Sequence, residues 1–458
     1  MNLPEQLIRS LQNVKGFDEA AFIQLHQSGE QVTSVRKNPA KILDGQSVIF
    51  NNQLQQIPWC ANGYYLDERP SFTSDPLFHA GAYYVQEASS MFVGQALQQT
   101  LDLSQPLKVL DLCAAPGGKS TLIQSLISAE SLLVSNEVIK TRVNILSENI
   151  TKWGAANVVV SNNDPKDFQR LENYFDVIVI DAPCSGSGLF RKDAAAIEEW
   201  SINNVQLCSQ RQQRIVADVF PALKENGIII YSTCSYSTEE DEAVCDWMVE
   251  EFKMESVPLK VENTWGIVAT ESEIHKAKGY RFYPDKVKGE GFFITVFKKK
   301  QEAAFSATQK KERKTLQQVT KTEIEAVSPW LKNAADFFFI KQNEEIIAVP
   351  LYLQNDLQIL QTALYIKKAA VRMGAVIRNE LIPHHELAIS TIISTAIPSV
   401  EVDLETALQY LRKQEIQVNS SLKGWALISY RQLSLGWVKI LSNRINNYYP
   451  KEWRILNK

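Results

Sequence analysis

Five short apolar runs alternate with longer amphipathic stretches in the middle of the chain. The runs are rich in valine, isoleucine and leucine, and they lack the strict alternation of a strand that faces water on one side. They occupy residues 107–112, 131–137, 157–164, 175–181 and 227–233. Because strands separated by helices form βαβ units, the pattern predicts an α/β fold: a doubly wound, mostly parallel sheet.

The pattern changes after the fifth run. Apolar runs at 265–270 and 291–300 predict an antiparallel hairpin that closes the sheet. Residues 298–318 are polar and charged, which predicts a linker or an exposed helix. Strand-like stretches at 336–342 and 344–350 then indicate a second, smaller α+β region, followed by a helix-like basic stretch at 364–378.

Composition narrows the class of protein. The 458 residues are 45% hydrophobic and 22% charged, as in soluble globular proteins, and suffice for two or three domains. We expect a cytoplasmic protein, because no apolar run is long enough for a membrane span and the start lacks a secretion signal. The six cysteines show neither CxxC pairs nor metal-ligand spacing, which predicts free thiols and no metal site.

The charge distribution points to a nucleic-acid partner. The formal net charge is −4, but residues 423–458 contain seven Lys or Arg and one acid. In the same segment Trp and Tyr alternate with these cations, which suits stacking on RNA bases and pairing with phosphates. Some of these aromatics are expected to form the core of the small domain instead: Trp425, Trp437, Tyr448, Tyr449 and Trp453.

The segment KVLDLCAAPGGKS, at 108–120, joins the first strand to a helix through a Pro-Gly-Gly turn. A P-loop would need glycine where Cys113 stands, so the phosphate-binding pattern fails by one residue. The strand that ends at Asp181 does resemble the magnesium-binding strand of a nucleotidase. A P-loop nucleotidase therefore stays open as an alternative.

Acidic residues at the strand ends favour a different cofactor. In open α/β sheets ligands bind at the carboxyl ends of the strands. Glu137 follows Gly118 by 19 residues, close to the spacing of an acid that binds ribose hydroxyls, and Asp164 is placed for an adenine edge. Taken alone, Asp164 fits a helix cap equally well. Since GxGxxG is absent, the combination predicts S-adenosylmethionine (S-adenosyl-L-methionine) rather than a dinucleotide.

Two cysteines follow adjacent strands. Cys184 comes after the fourth strand and Cys234 after the fifth. A lone cysteine there usually serves packing, but a pair beside a methyl donor indicates covalent catalysis. Carbon 5 of cytosine is a poor nucleophile until a thiolate adds to carbon 6. Asp181 could bind the ring nitrogen or the exocyclic amine of a base that has left its stack.

Three segments resemble the Sun-type RNA 5-methylcytosine methyltransferases: DLCAAPGGKS at 111–120, DAPCSGSG at 181–188 and YSTCSYSTEEDEAV at 231–244. The resemblance implies that Cys234 is the nucleophile and that Cys184 assists release of the methylated base. It also implies a PUA-like RNA-binding domain at the C-terminal end. The residues that it assigns to S-adenosylmethionine are Cys113, Ala114, Ala115, Pro116, Gly117, Gly118, Lys119, Glu137, Asp164 and Asp181.

The resemblance covers roughly residues 30–300 and suggests how the chain is divided. Asp241 and Asp285 depart from it, where relatives often have Asn and His. We expect four parts: an N-terminal RNA-contacting extension at 1–90, a catalytic core at 91–300, a linker at 301–327 and a C-terminal RNA-binding region at 328–458.

The resulting hypothesis is methylation of carbon 5 of a cytidine in RNA, with small-subunit ribosomal RNA as the first expectation. A transfer RNA methyltransferase and a non-catalytic ribosome assembly factor are the alternatives. Arg36, Lys37, Arg191 and Lys192 are candidate phosphate contacts or solvated cations. The target nucleotide and the oligomeric state do not follow from the sequence.

Overall fold

The structure is a computed structural model and describes residues 3–41, 54–300, 318–418 and 420–456. Of the described residues, those up to residue 100 form a small antiparallel sheet, ordered β2-β3-β1-β4, with short helices around it. The elements are α1 (Glu5–Leu11), α2 (Glu19–Ser28), β1 (Thr33–Lys37), β2 (Gln55–Gln56), β3 (Gly63–Leu66), α3 (Pro76–His79), β4 (Tyr83–Val85) and α4 (Val93–Thr100).

A ten-stranded mixed sheet forms the centre of the molecule. Most of its elements lie between residues 108 and 298. They are β5 (Lys108–Asp111), α5 (Gly118–Leu126), β6 (Leu132–Asn136), α6 (Lys140–Trp153), β7 (Val158–Ser161), β8 (Phe175–Asp181), α7 (Ala195–Glu199), α8 (Ile202–Val219), β9 (Leu223–Thr233), α9 (Glu242–Phe252), β10 (Glu255–Ser256), β11 (Val268–Glu271), β12 (Lys278–Phe282) and β13 (Phe292–Lys298).

The predicted parallel sheet is confirmed. The five predicted strands pair in the parallel order β9-β8-β5-β6-β7. The strands are buried on both faces, which explains their nearly continuous apolar sequences. Because the chain order reverses between β5 and β8, a crevice for ligands is expected at the carboxyl ends of these two strands.

The predicted closing hairpin is wrong in its pairing. β13 lies antiparallel to β9, but its other neighbours are β12 and the two-residue strand β10, and β11 pairs with β12. Strand β12, which was not predicted, has the sequence KGYRF. Because it contains lysine, arginine and glycine, it lacks the β-branched apolar run by which the other strands were predicted.

The C-terminal part of the chain adds two more four-stranded sheets, ordered β14-β15-β17-β18 and β19-β20-β21-β22. The predicted strands at 336–342 and 344–350 are confirmed as β14 and β15. Its elements are α10 (Lys321–Val327), β14 (Phe337–Gln342), β15 (Glu345–Pro350), α11 (Gln354–Ala363), β16 (Ile366–Ala369), β17 (Val371–Ile377), β18 (Glu380–Pro383), α12 (His385–Ala388), β19 (Ser399–Glu401), α13 (Leu404–Leu411), β20 (Gly424–Tyr430), β21 (Leu433–Ile440) and β22 (Ile445–Asn447).

One strand of this C-terminal part belongs to the central sheet. The stretch 364–378 is not a helix, as its spacing suggested, but contains β16 and β17. β16 pairs antiparallel with β7 and so covers that edge of the central sheet. Residues 301–317 of the predicted linker lie outside the described residues, and α10 follows them. The four-part division of the chain stays a prediction.

Helix α8 borders the cavity at the carboxyl ends of the parallel strands. Ser201 begins it by accepting a hydrogen bond from the backbone N–H of Asn204, as an N-cap serine does. Its buried residues recur every three or four positions, which fixes one face against the sheet: Val205, Cys208, Gln212, Ile215, Val216 and Val219. The opposite face is left to solvent.

The described residues offer neither a membrane span nor a metal cluster. No helix among them is long and apolar enough to cross a membrane. The same residues contain no group of three or more His, Cys, Asp or Glu arranged to hold a metal ion.

Candidate active site

A cavity of about 840 Å³ opens at the carboxyl ends of the parallel strands, where the strand order reverses. It collects the predicted site residues from five separate segments of the chain. Gly117 belongs to the same turn, in the left-handed conformation with φ +118°. The predicted residues that line the cavity are Cys113, Ala114, Ala115, Pro116, Gly118, Lys119, Glu137, Asp164, Asp181, Cys184 and Cys234.

The turn after β5 is held in place by hydrogen bonds that its carbonyl groups accept. Arg142 donates to the carbonyl of Ala115 at 2.8 Å, and Asn149 donates to that of Pro116, also at 2.8 Å. Both donors lie on α6, so this helix fixes the turn from one side. Asp111, at the end of β5, accepts from Ser120 at 2.6 Å, and its complete burial raises the pKa of this carboxyl to about 7.

Glu137 and Asp164 border the same end of the cavity. One oxygen of Glu137 accepts from the backbone N–H of Ile139 at 2.9 Å. The other oxygen is buried, lies 3.2 Å from the Arg142 guanidinium and accepts no hydrogen bond from the described residues. Asp164 accepts from the N–H of Lys166 at 3.2 Å, so it caps a short helical turn and lines the cavity at once.

Asp181 lies between the turn and the cysteines. Its carboxylate is 2.8 Å from the ammonium of Lys119 and accepts from the Ser232 hydroxyl at 3.0 Å. Burial lowers the pKa of Lys119, but the nearby Asp181 carboxylate outweighs this effect and leaves the pKa raised. Lys119 is therefore a cation at neutral pH, and it forms an ion pair with Asp181.

The two predicted cysteines meet at the wall of the cavity. The sulfurs of Cys184 and Cys234 lie 2.8 Å apart as free thiols. The hydrogen bond with Cys234, followed by burial, raises the pKa of Cys184 well above its ordinary value. Cys184 thus keeps its proton at neutral pH, and either sulfur can be the donor in this contact.

Glu240 connects the two loops that carry the cysteines, a role that no sequence pattern indicated. Its buried carboxylate accepts from the N–H of Ser185 at 2.8 Å, from the Ser235 hydroxyl at 2.6 Å and from the Gln212 amide at 3.0 Å. Ser185 follows one cysteine and Ser235 follows the other. The distance between the two sulfurs is thereby fixed by a third residue.

A buried ion-pair cluster supports the loop that carries Cys234. Arg281 contacts both Asp241 and Glu242, and Asp241 accepts from the Thr233 hydroxyl at 2.7 Å. Asp241, one of the two departures from the family pattern, therefore contacts the neighbour of Cys234 and not the thiols themselves. Arg281 comes from β12, the strand that the sequence did not reveal.

Several candidate RNA contacts are instead buried. Arg36 donates to the side chains of Gln86 and Thr121, and Arg191 donates to the carbonyls of Gly289 and Glu30. Both guanidinium groups are therefore structural, and neither expectation for them, a phosphate contact or a solvated cation, holds. Among the C-terminal aromatics, Trp437 and Tyr449 are fully buried, whereas Trp425, Tyr448 and Trp453 keep exposed area.

The residues present fit an adenosyl cofactor. The buried, unsatisfied oxygen of Glu137 is a suitable acceptor for ribose hydroxyls. Asp164 and the exposed side chain of Ile139 border the space beside it, where a purine would have a polar edge and an apolar face. A P-loop nucleotidase does not fit, because Asp181 is held by Lys119 and not left free for a metal ion.

Fold and site together define a methyltransferase with the α/β sheet of that class, and the comparisons name its family. Three family models match: "16S rRNA methyltransferase RsmB/F" over residues 98–298, the "N-terminal domain of 16S rRNA methyltransferase RsmF" over 3–88 and the "Methyltransferase RsmF PUA domain" over 397–455. The chain belongs to the ribosomal RNA small subunit methyltransferase F family. The cofactor of these methyltransferases is S-adenosyl-L-methionine.

The similarity to individual relatives spans most of the chain. Ribosomal RNA small subunit methyltransferase F of Vibrio parahaemolyticus is 30% identical over 87% of this chain and 85% of its own. The Vibrio atlanticus relative of the same name is 28% identical over 98% and 97% of the two chains.

Solved structures agree on the fold. A methyltransferase homolog from Pyrococcus horikoshii is 28% identical, covers 65% of this chain and 100% of its own, and has a TM-score of 0.52. NSun6 from the same organism is 19% identical over 65% and 99% of the chains, with a TM-score of 0.53, which shows the fold alone.

Proposed function

We propose that this protein methylates carbon 5 of a cytidine in RNA, and that the RNA belongs to the small ribosomal subunit. The main support for this reaction is the pair of free thiols, whose sulfurs lie 2.8 Å apart in the wall of the cavity. The Pro-Gly-Gly turn lines the same cavity. The choice of RNA rests on the relatives, which are named as methyltransferases of small-subunit ribosomal RNA.

Cys234 is the proposed nucleophile. Its thiolate adds to carbon 6 of cytosine, which forms a carbon–sulfur bond and turns carbon 5 into a nucleophile. S-adenosyl-L-methionine supplies the electrophilic methyl group. Asp181, which contacts Lys119 and Ser232, is the proposed acceptor for a hydrogen bond from the exocyclic amine while the carbon 5–carbon 6 bond is saturated.

Cys184 is the proposed base for the release step. Its raised pKa has the hydrogen bond to Cys234 as the largest cause. Once the Cys234 sulfur is bonded to carbon 6, the largest of the causes that raise this pKa is removed, and Cys184 is proposed to give its proton to solvent at this stage. The Cys184 thiolate then takes the proton from carbon 5, the carbon–sulfur bond breaks and Cys234 leaves as a thiolate. One proton is released for each methyl group transferred.

The test is transfer of a tritiated methyl group from S-adenosyl-L-methionine to isolated small subunits and to naked ribosomal RNA. We expect the label in 5-methylcytidine with the wild type, and none above background with Cys234→Ala. A matched control is Cys208→Ala, whose buried thiol lies outside the cavity lining and should leave transfer intact. Label in any other nucleoside, or full transfer by Cys234→Ala, would contradict the proposal.

A further inference from the structure

Two cations at the cavity have no role in the chemistry just described. Four basic residues line the cavity, and two of them, Lys119 and Arg142, are paired with Asp181 and with Glu137. The other two are Arg211 and Arg214. Both are exposed, and neither makes a hydrogen bond or an ion pair within 4 Å among residues 3–41, 54–300, 318–418 and 420–456.

The helix that carries these arginines is fixed relative to the cysteines. Between them on α8 lies Gln212, which is fully buried. Its amide donates to the carbonyl of Pro183 at 3.1 Å and to Glu240 at 3.0 Å. Pro183 immediately precedes Cys184, so one buried side chain sets the distance from the arginine-bearing face to the reacting thiols.

The spacing of the arginines matches a nucleic-acid strand. Residues three apart on a helix lie on one face, with about 5–6 Å between their Cβ atoms. Guanidinium groups bind phosphates through paired N–H donors, and they remain charged at any pH the protein meets. Two such groups side by side can engage two successive phosphates of one strand.

The rest of the cavity lining is rich in acidic residues. Its lining includes five carboxyl groups: Glu87, Glu137, Asp164, Asp181 and Glu290. Glu137 and Asp181 are paired with Arg142 and Lys119, so cations at the mouth need to offset only the repulsion between the remaining acids and the phosphates of an inserted strand. The nearest acid on the same helix is Asp218, whose pKa Arg214 lowers against the larger effect of burial. Asp218 interacts with Arg214 in this way, whereas the positive charge of Arg211 has no such acidic partner on the helix.

We propose that Arg211 and Arg214 bind the two phosphates that flank the target nucleotide and so hold the strand at the mouth of the cavity. This inference rests on the proposed function, because it requires RNA as the substrate. It adds a phosphate-binding site on the catalytic part of the chain, separate from the basic C-terminal segment.

The experiment measures RNA affinity against salt for the wild type and for the double variant Arg211→Gln/Arg214→Gln. The probe is a transcript of small-subunit ribosomal RNA. Each phosphate contact contributes about 0.7 to 0.9 to the slope of log K against log salt. We expect the slope of the variant to be shallower by about 1.4 to 1.8, so that between 50 and 200 mM salt it loses roughly seven- to twelvefold less affinity than the wild type.

The control is Lys224→Gln/Lys260→Gln, which removes two charges outside the cavity lining. Lys224 lies near the amino end of β9, at the opposite edge of the sheet. Affinity for S-adenosyl-L-methionine, measured on each protein, reports that the fold is intact. An unchanged slope in the arginine variant, while the wild type methylates the same RNA, would overturn this inference alone. Absence of methylation by the wild type would instead overturn the proposed function, and this inference with it.

Discussion

At the scale of single residues, Glu290 is a carboxyl group in an unfavourable place. It lines the cavity beside Gly291, and both of its oxygens are buried without a hydrogen bond from the described residues. Arg191 lies 3.6 Å away, which offsets the burial only in part. Burial therefore raises the pKa of this carboxyl to about 7.

The raised pKa makes stability depend on pH with a definite sign. Below the ordinary pKa of about 4.3 the carboxyl is protonated in both folded and unfolded chains and contributes nothing. As the pH rises from there to 7, only the unfolded chain ionises, so the folded state loses stability. Above 7 the loss is complete.

Glu290→Gln should remove this dependence. We expect the melting temperature of the variant, relative to the wild type, to rise between pH 4.5 and pH 8. Glu148→Gln is the matched control, since its carboxyl is partly exposed and paired with Lys152 on the same helix. A difference in melting temperature that stays constant with pH, or falls, would contradict the account.

At the scale of elements, the N-terminal strand β1 braces the cofactor turn. Arg36 on this strand donates to Thr121 at 2.6 Å and to the carbonyl of Gly118 at 3.3 Å, both at the start of α5. Its guanidinium also lies 4.7 Å from the centre of the Trp153 ring. A strand outside the central sheet thus supports the helix that begins at the turn.

Arg36→Met should weaken both the fold and the site. Loss of the buried donors leaves their acceptors unsatisfied, which costs about 1–3 kcal/mol in the free energy of unfolding. We also expect weaker binding of S-adenosyl-L-methionine, measured by calorimetry. Lys37→Met is the control in the same strand, because the Lys37 ammonium only lies over the Tyr64 ring, at 4.3 Å. Equal effects of the two substitutions on unfolding and on cofactor binding would show that Arg36 does not support the cofactor turn.

At the scale of the whole molecule, the C-terminal part of the chain completes the catalytic sheet. β16 covers the edge of β7, and α11 contributes Leu357 and Leu360 to the same hydrophobic core as the strands of the sheet. Lys41, from the N-terminal part, donates to three carbonyls, those of Ala80, Lys152 and Ile389. These contacts join all parts of the chain through buried groups.

Cleaving the chain between the catalytic core and the C-terminal region should therefore leave the two fragments associated. A protease site inserted between residues 300 and 318 would yield two fragments. We expect them to elute together on gel filtration and to retain cofactor binding, because the buried contacts do not depend on that peptide bond. Fragments that elute separately, without added denaturant, would contradict this view of the molecule.

The sequence predicted the parts of the fold in which local pattern and burial agree. The parallel strands are short β-branched runs because both of their faces are covered, and they could be found one at a time. β16 could not, because Ala369, Ala370 and two lysines read as a helix until the edge of β7 offers a partner about 200 residues earlier.

The residues of the candidate site likewise fall into those that the sequence predicted and those that it did not. The turn, Glu137, Asp164 and the cysteines sit at strand ends and could be named from spacing. Glu240 and Arg281 could not, because what they do depends on loops that only the folded chain brings together. Arg36 and Arg191 looked like surface cations, and only burial shows that they are structural.

Cys234 is proposed to form a covalent bond with cytosine, and Cys184 is proposed to be needed for its release. The most direct measurement incubates Cys184→Ala with S-adenosyl-L-methionine and small subunits, digests the RNA with nuclease and analyses the protein by mass spectrometry. The account predicts a methylated cytidine nucleotide on the peptide that contains Cys234, and none when Cys234→Ala is added to the variant. Rapid turnover by Cys184→Ala without any adduct, or an adduct on another residue, would contradict it.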